Sequence, residues 1–277
     1  VDYVIASDTD SVYIRFDELI EKFKPKAPVD FLDTIAKEKI EPFINDAYQE
    51  LADYTHAYDQ KMQMKREVIA DKGIWTAKKR YILNAHDVEG VRYQEPKLKI
   101  MGIEAVKSST PAPCREKIKQ ALRIIMDGDE KELNTFIQDF RTEFLTLPPE
   151  EVAYPRSVNG LDKWTESHNL FKKGAPIHVK GAILYNHLIR KNKLGYKYPF
   201  IQEGDKIKFL HMKLPNVYQS SSISFITSLP KEISFAVDYD LQFEKSFVEP
   251  LNYIIEKIKW NVDRSYGTQG TLESFFA

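Results

Sequence analysis

Asp8 and Asp10 stand one residue apart in Ser7-Asp8-Thr9-Asp10-Ser11, between the apolar runs Tyr3-Val4-Ile5 and Val12-Tyr13-Ile14. Two short strands joined by so brief a polar link predict a hairpin over residues 3–16. A tight turn brings the two carboxylates together, and like charges that close repel unless a cation neutralises them. Hard oxygen donors of this kind suit Mg²⁺, which keeps several waters and bridges to substrate phosphates. Two such ions about 3.5–4 Å apart stabilise both the attacking and the leaving oxygens of a phosphoryl transfer. The same Asp-x-Asp spacing also occurs in ordinary solvated turns and in glycosyltransferases, so the turn alone leaves these readings open.

The elements that would position this turn follow it along the chain. Asp30 is a candidate N-cap, and Leu32, Ile35, Ala36, Phe43, Ile44, Ala47 and Leu51 recur at helical spacing, with Pro42 expected to kink the helix. From Met64 to Leu83 the pattern becomes β-like, and Asp71-Lys72-Gly73 reads as the turn of a second hairpin. Strand, helix and strand in this order predict an α+β layer whose sheet carries a site on one face. After Pro111 the chain turns helical: Ile118, Ala121, Leu122 and Ile125 mark one helix, Asp127-Gly128-Asp129 stops it, and Leu133, Phe136, Ile137, Phe140 and Phe144 mark the next. Residues 177–240 read as short β-like runs broken by Gly, Pro and Ser, and a last helix is expected from about Pro250 to Trp260. The expected division is 1–111, 112–268 and a tail at 269–277, linked through Gly267 to Gly270.

Composition bounds the function classes. The chain has 277 residues, 43% hydrophobic and 29% charged, as befits a soluble globular protein of two domains. No apolar run approaches the ~18 residues a membrane span needs, so no membrane partner is expected. One cysteine, Cys114, excludes an internal disulfide framework and fits a reducing cytoplasm. Six histidines without HExxH-like spacing point away from zinc. The net charge is −1, but residues 60–107 carry +5 and residues 171–213 carry +8, leaving −14 on the rest. Local rather than total charge attracts phosphates, so these two stretches are either solvated surfaces or the walls of a nucleic-acid groove.

Asp8-Thr9-Asp10-Ser11 with Val12-Tyr13 resembles the motif C hairpin of family B DNA polymerases, usually YGDTDS. The run from Lys65 to Leu83, KREVIADKGIWTAKKRYIL, and RYQEPKLKIMGIEAVKSSTP after it are similar to the palm of replicative polymerases of large tailed bacteriophages. IHVKGAILYNHLI and the segment after Glu249-Pro250 resemble their thumb. The resemblance implies a palm portion with an antiparallel sheet and helices, then a mostly helical thumb with a small β-rich part. It implies that Asp10 coordinates both Mg²⁺ ions, that Asp8 supports the site, and that Glu67 lies close to the metals. Lys79, Arg80 and Tyr81 match the element that holds the primer end, and strand alternation would point Lys79 and Tyr81 to one face. Lys97, Lys99, Lys107 and Ser108 would extend this grip along the primer-template, and His178 and Lys180 would reach duplex phosphates from the thumb. Glu67 as an exposed strand residue, and His178 as a structural one, are the plainer alternatives.

Two departures matter. Ala6-Ser7 replaces the usual Tyr-Gly, and the family's motif A aspartate, its nucleotide-binding helix and its exonuclease carboxylates have no counterpart in the sequence. With Val1 rather than Met at the start, the expectation is a C-terminal subunit or fragment of a DNA-directed DNA polymerase. It would act on DNA and dNTPs only with an N-terminal half that shares the two Mg²⁺ ions, in a host cytoplasm if phage-encoded. The last residues, Gln269-x-x-Leu272-x-x-Phe275-Phe276, resemble a sliding-clamp-binding peptide, with Leu272 and the two Phe on one side of a short turn. The alternative is a non-catalytic DNA-binding and clamp-tethering module.

Overall fold

The computed structural model describes residues 2–103, 105, 107–166 and 169–264. The chain divides into two compact units, the first ending at Met101 and the second beginning at Gly102. The expected tail, Gln269, Leu272, Phe275 and Phe276 included, lies outside the described residues. The fold is α+β with antiparallel sheets throughout.

Unit 1 opens with the expected hairpin, β1 (Val4–Asp8) and β2 (Ser11–Ile14), in which Asp8 faces Ser11. A short helix α1 (Asp17–Phe23) follows, then α2 (Pro28–Ile35). Asp30 does not cap α2: the first turn begins at Pro28, whose missing N–H is no loss there, and Asp30 falls inside that turn. A π-helical turn, Ala36–Ile40, separates α2 from α3 (Glu41–Tyr54). The interruption precedes Pro42, which sits in the first turn of α3, where it cannot donate to the preceding carbonyls.

Three long strands, β3 (Val68–Ala77), β4 (Arg80–Val88) and β5 (Val91–Met101), form an antiparallel meander. Asp71-Lys72-Gly73 is not a turn. It lies within β3, where the register to β4 is irregular on both sides of Ala70. Gly73 is there for packing: a Cβ would lie 2.6 Å from the Trp75 ring and 2.8 Å from Leu83 Cδ2. The turn falls instead after Ala77, with Lys79 in left-handed backbone at φ 60°. Lys79 is thus a turn residue, and strand alternation with Tyr81 does not apply to it.

The meander is tied to α2 by charge. Arg66 donates to Asp33 through Nε at 3.0 Å and Nη2 at 2.6 Å, and its Nη1 pairs closely with Asp87. Arg92 Nε donates to the second Asp87 oxygen at 3.0 Å, and the Gly90 N–H donates to the first at 2.9 Å. Asp87 is almost fully enclosed, so these donors are what make its burial tolerable.

Unit 2 begins with the helix pair α4 (Ala112–Asp127) and α5 (Glu130–Phe144). Asp129 caps α5, accepting from the Glu132 N–H at 2.8 Å. After the one-turn helix α6 (Pro149–Val152) come β6 (Tyr154–Ser157), the one-turn helix α7 (Leu161–Trp164) and a two-residue ribbon, β7 (Thr165–Glu166) with β8 (Leu170–Phe171). Residues 177–191 are not strands but a 15-residue helix, α8 (Ile177–Lys191). Strands β9 (Lys206–His211) and β10 (Ser222–Phe225) complete a three-stranded sheet in the order β10-β9-β6. The short helices α9 (Tyr239–Phe243) and α10 (Glu249–Ile255) follow, joined by a π-helical turn and ended by a single 3₁₀ turn at Glu256–Ile258.

Helix α8 reads poorly as a helix because it is buried on several faces: Val179, Ala182, Ile183, Leu184, Tyr185, Leu188 and Ile189 are all enclosed, leaving little polar face. Gly181 lets it lie against β10, since a Cβ there would sit 2.7 Å from the Ser224 nitrogen. Two strand hydroxyls complete the contact, Ser222 donating to the Ile177 carbonyl and Ser224 to that of His178, each at 2.7 Å. Phe140, Phe144, Phe243 and Phe247 form the aromatic heart of the unit, with centroids 4.7–5.8 Å apart among the close pairs.

Candidate functional site

The carboxylate turn is tight because of Thr9, whose φ of 50° places it in left-handed backbone. The Asp10 N–H donates to the Asp8 carbonyl at 2.6 Å, and the Ser11 hydroxyl donates to the same carbonyl at 3.2 Å. Asp8 is half-buried and Asp10 exposed, so both side chains can meet a solvated cation. Among the described residues no cluster of three or more His, Cys, Asp or Glu is placed to hold a metal ion. The two aspartates therefore offer part of a coordination shell. Their oxygen chemistry fits Mg²⁺, and the remaining ligands would come from water, substrate phosphates or another polypeptide.

The turn after β3 brings Lys79 to this hairpin, with its Nζ 3.8 Å from Asp8 Oδ2. Aromatic packing fixes the approach of the two hairpins. The Tyr13 ring meets Trp75 and Tyr81 edge-on, both at 5.4 Å between centroids, and Trp75 and Tyr81 lie 6.4 Å apart. Each such pair adds about 0.5–1.5 kcal/mol beyond its buried area. Burial, and then hydrogen bonding with Tyr81, push the Tyr13 phenol up to about 12, so it stays protonated at neutral pH.

A cavity of about 900 Å³ opens beside the turn, and Asp10, Tyr13, Glu67, Trp75, Tyr81 and Lys99 are among its walls. Asp10 and Glu67 thus share one concave space, although Glu67 is exposed and pairs closely with Lys99. Lys99 is thereby committed to a carboxylate rather than left open to solvent. Arg80 is exposed at the start of β4, and Lys97 lies 4.4 Å over the Tyr93 ring. Tyr13 and Trp75 were not singled out as site residues by sequence reasoning. Tyr13 directly follows the carboxylate turn, but Trp75 gives no sequence signal beyond being an aromatic in a strand.

The second group of expected DNA contacts lies in unit 2. Ser108 is exposed, Lys107 is half-buried, and the neighbouring Ser109 carbonyl accepts from Arg156 at 2.8 Å. Arg156 itself lies over the Tyr154 and Phe209 rings, at 5.6 and 6.0 Å. His178 stands 6.2 Å from Phe209, and burial together with Arg156 holds its imidazole below the usual range, favouring the neutral form. Lys180 lies 5.7 Å over Phe171. Arg156 was also missed: as a lone arginine in a short strand it has no motif, and only the fold gives it a loop carbonyl to hold. No described helix is long and apolar enough to cross a membrane.

No family model matches the chain. Two curated proteins do. The DNA-directed DNA polymerase of Enterobacteria phage T4 is 35% identical over 270 residues, covering 90% of this chain and 30% of that protein. The DNA-directed DNA polymerase of Escherichia phage RB69 is 34% identical over 282 aligned positions, covering 95% of this chain and 31% of that protein. Both are family B enzymes, and the resemblance expected from the motifs is borne out along nearly the whole chain. The chain spans somewhat under a third of the length of the curated relatives it matches.

Proposed function

We propose that this chain is the C-terminal portion of a family B DNA-directed DNA polymerase, contributing one wall of a two-metal nucleotidyl-transfer site and much of the grip on primer-template. The observation that carries this reading is the 35% identity over 90% of the chain to a phage DNA polymerase, with an Asp-Thr-Asp turn at the tip of a hairpin. In this reading Asp10 and Asp8 hold Mg²⁺, and Glu67 faces the same cavity as Asp10. Ions bound there would stabilise the attacking and leaving oxygens of the incoming dNTP and primer. Lys79, Arg80 and Tyr81 steady the primer end by contacts that do not read sequence. Lys97, Lys107, Ser108 and Lys180 extend the hold along the backbone, and Lys99 orients Glu67 through their ion pair. An N-terminal polymerase half supplies the missing carboxylate and the nucleotide-binding helix, and residues 269–277 tether the enzyme to a sliding clamp.

Primer extension by purified proteins tests the reading. The chain alone should not extend a primer, and supplying the remainder of the polymerase should restore Mg²⁺-dependent synthesis. Asp10→Asn should then abolish it, because an amide lacks the charge that holds the ions. Robust extension by the chain alone, or an active Asp10→Asn enzyme, would overturn it.

A further inference from the structure

Helix α3 carries two apolar stripes, and unit 1 covers one of them. Ile44, Tyr48 and Ala52 turn inward, with Ile44 lining the cavity beside the carboxylate turn. Phe43, Ala47, Leu51 and Tyr54 follow at steps of four, four and three residues, which places them on one line of the helix surface. Phe43 is 75% exposed and Tyr54 83%. Scattered apolar residues on a surface need no explanation, but a continuous apolar stripe with an exposed aromatic at each end marks an interface.

From these features, and resting on the polymerase reading above, we infer that the outer face of α3 is where the remainder of the polymerase docks.

Three observations select that occupant. The first is charge. Helix α3 bears Glu41, Asp46, Glu50 and Asp53 and no Lys or Arg, so a phosphate backbone would be repelled and DNA is excluded from this face. A protein surface with an apolar centre and a basic rim is the complement. The second is the thinness of the core. Among its described apolar residues unit 1 encloses only Ala52, Ile69, Ile82, Leu83 and Ala85, while Tyr3, Val4 and Ile5 of the β1 region also remain open. A unit that buries so little needs a permanent partner rather than a passing one, and permanent interfaces are the apolar kind. The third is length: the relatives carry more than two thirds of their sequence outside the part this chain matches.

Hydroxyl-radical footprinting tests this without altering the helix. The probe is phage T4 polymerase with its matched segment replaced by this chain, compared with the chain alone. Oxidation of Phe43 and Tyr54 should be fast in the chain alone and fall several-fold in the hybrid. A hybrid that extends primers while both residues stay equally reactive would overturn the docking face and leave the polymerase reading intact. A folded hybrid that neither extends primers nor protects α3 would remove the polymerase reading, and the docking face with it. Protection of the chain alone that grows with its own concentration, or on addition of duplex DNA, would assign α3 to self-association or to nucleic acid and overturn the inference.

Discussion

The Nζ of Lys79 lies 3.8 Å from Oδ2 of Asp8, so the turn of one hairpin meets the turn of the other. The cation proposed to grip nucleic acid and the carboxylate proposed to hold metal are thereby neighbours, although they stand 71 positions apart in sequence. Lys79→Ala in the assembled polymerase should weaken primer-template binding by a similar factor for every sequence. The slope of log affinity against log salt should fall by about one. Fluorescence anisotropy over a salt series measures both, and a sequence-selective loss would remove Lys79 from this role.

The Arg66 network should make unit 1 acid-sensitive. Burial pushes the Asp87 carboxyl up, but Arg66, Arg92 and the Gly90 N–H outweigh it and hold it below the usual range. Lys37 and Arg66 do the same for Asp33 against its own burial. A carboxyl depressed in the folded state contributes stability above its unfolded value, near 3.9, and loses it as pH falls through the lower folded value. The unit 1 melting transition should therefore be insensitive to these groups at neutral pH and drop below about pH 4. Asp87→Asn should cost roughly 1–3 kcal/mol at neutral pH, because it removes the buried charge that Arg66 and Arg92 share while Asp33 still pairs with Arg66, and should blunt the acid transition. Thermal melts of both proteins from pH 3 to 7 check the prediction.

Gly181→Ala should destabilise unit 2. The added methyl would meet the Ser224 nitrogen at 2.7 Å and the Ile223 carbonyl carbon at 2.8 Å, both backbone atoms of β10 that cannot swing away. Overpacking of this kind costs about 1–3 kcal/mol. Calorimetry should show a lower unit 2 transition, whereas Gly174→Ala tests only backbone preference, since its site has open space at φ 85°.

Deleting residues 269–277 should leave both melting transitions and short primer extension unchanged while clamp-stimulated long synthesis collapses. A tether raises the local concentration of DNA ends without touching the chemical step. A lowered melting temperature in the truncated chain, with or without clamp, would show instead that the two Phe pack on the protein itself.

The parts legible in the sequence were those whose signal is local. The hairpin at residues 3–16 shows itself by two apolar runs around a polar turn, and the helix pair of unit 2 by its 3.6-residue spacing and the Asp127-Gly128-Asp129 break between the two helices. Helix α8 was misread because burial on several faces erased its amphipathic pattern. Gly73 was misread because glycine serves close packing as well as turns, and only the fold brings the Trp75 ring over it. The pairing of Arg66 with Asp87 and the Tyr13–Trp75–Tyr81 cluster join residues far apart in sequence, which no periodicity encodes.

Both turns at the candidate site put a side chain where glycine would sit more easily, Thr9 at φ 50° and Lys79 at φ 60°. Left-handed backbone costs an ordinary residue about 1–2 kcal/mol. Selection for stability alone would drift both positions toward glycine. If the polymerase reading holds, position 79 should instead keep its lysine, because a glycine there would discard the ammonium that reaches Asp8. In the polymerase reading, the dihedral angle at Lys79 marks a position where stability and function would pull the same codon in opposite directions.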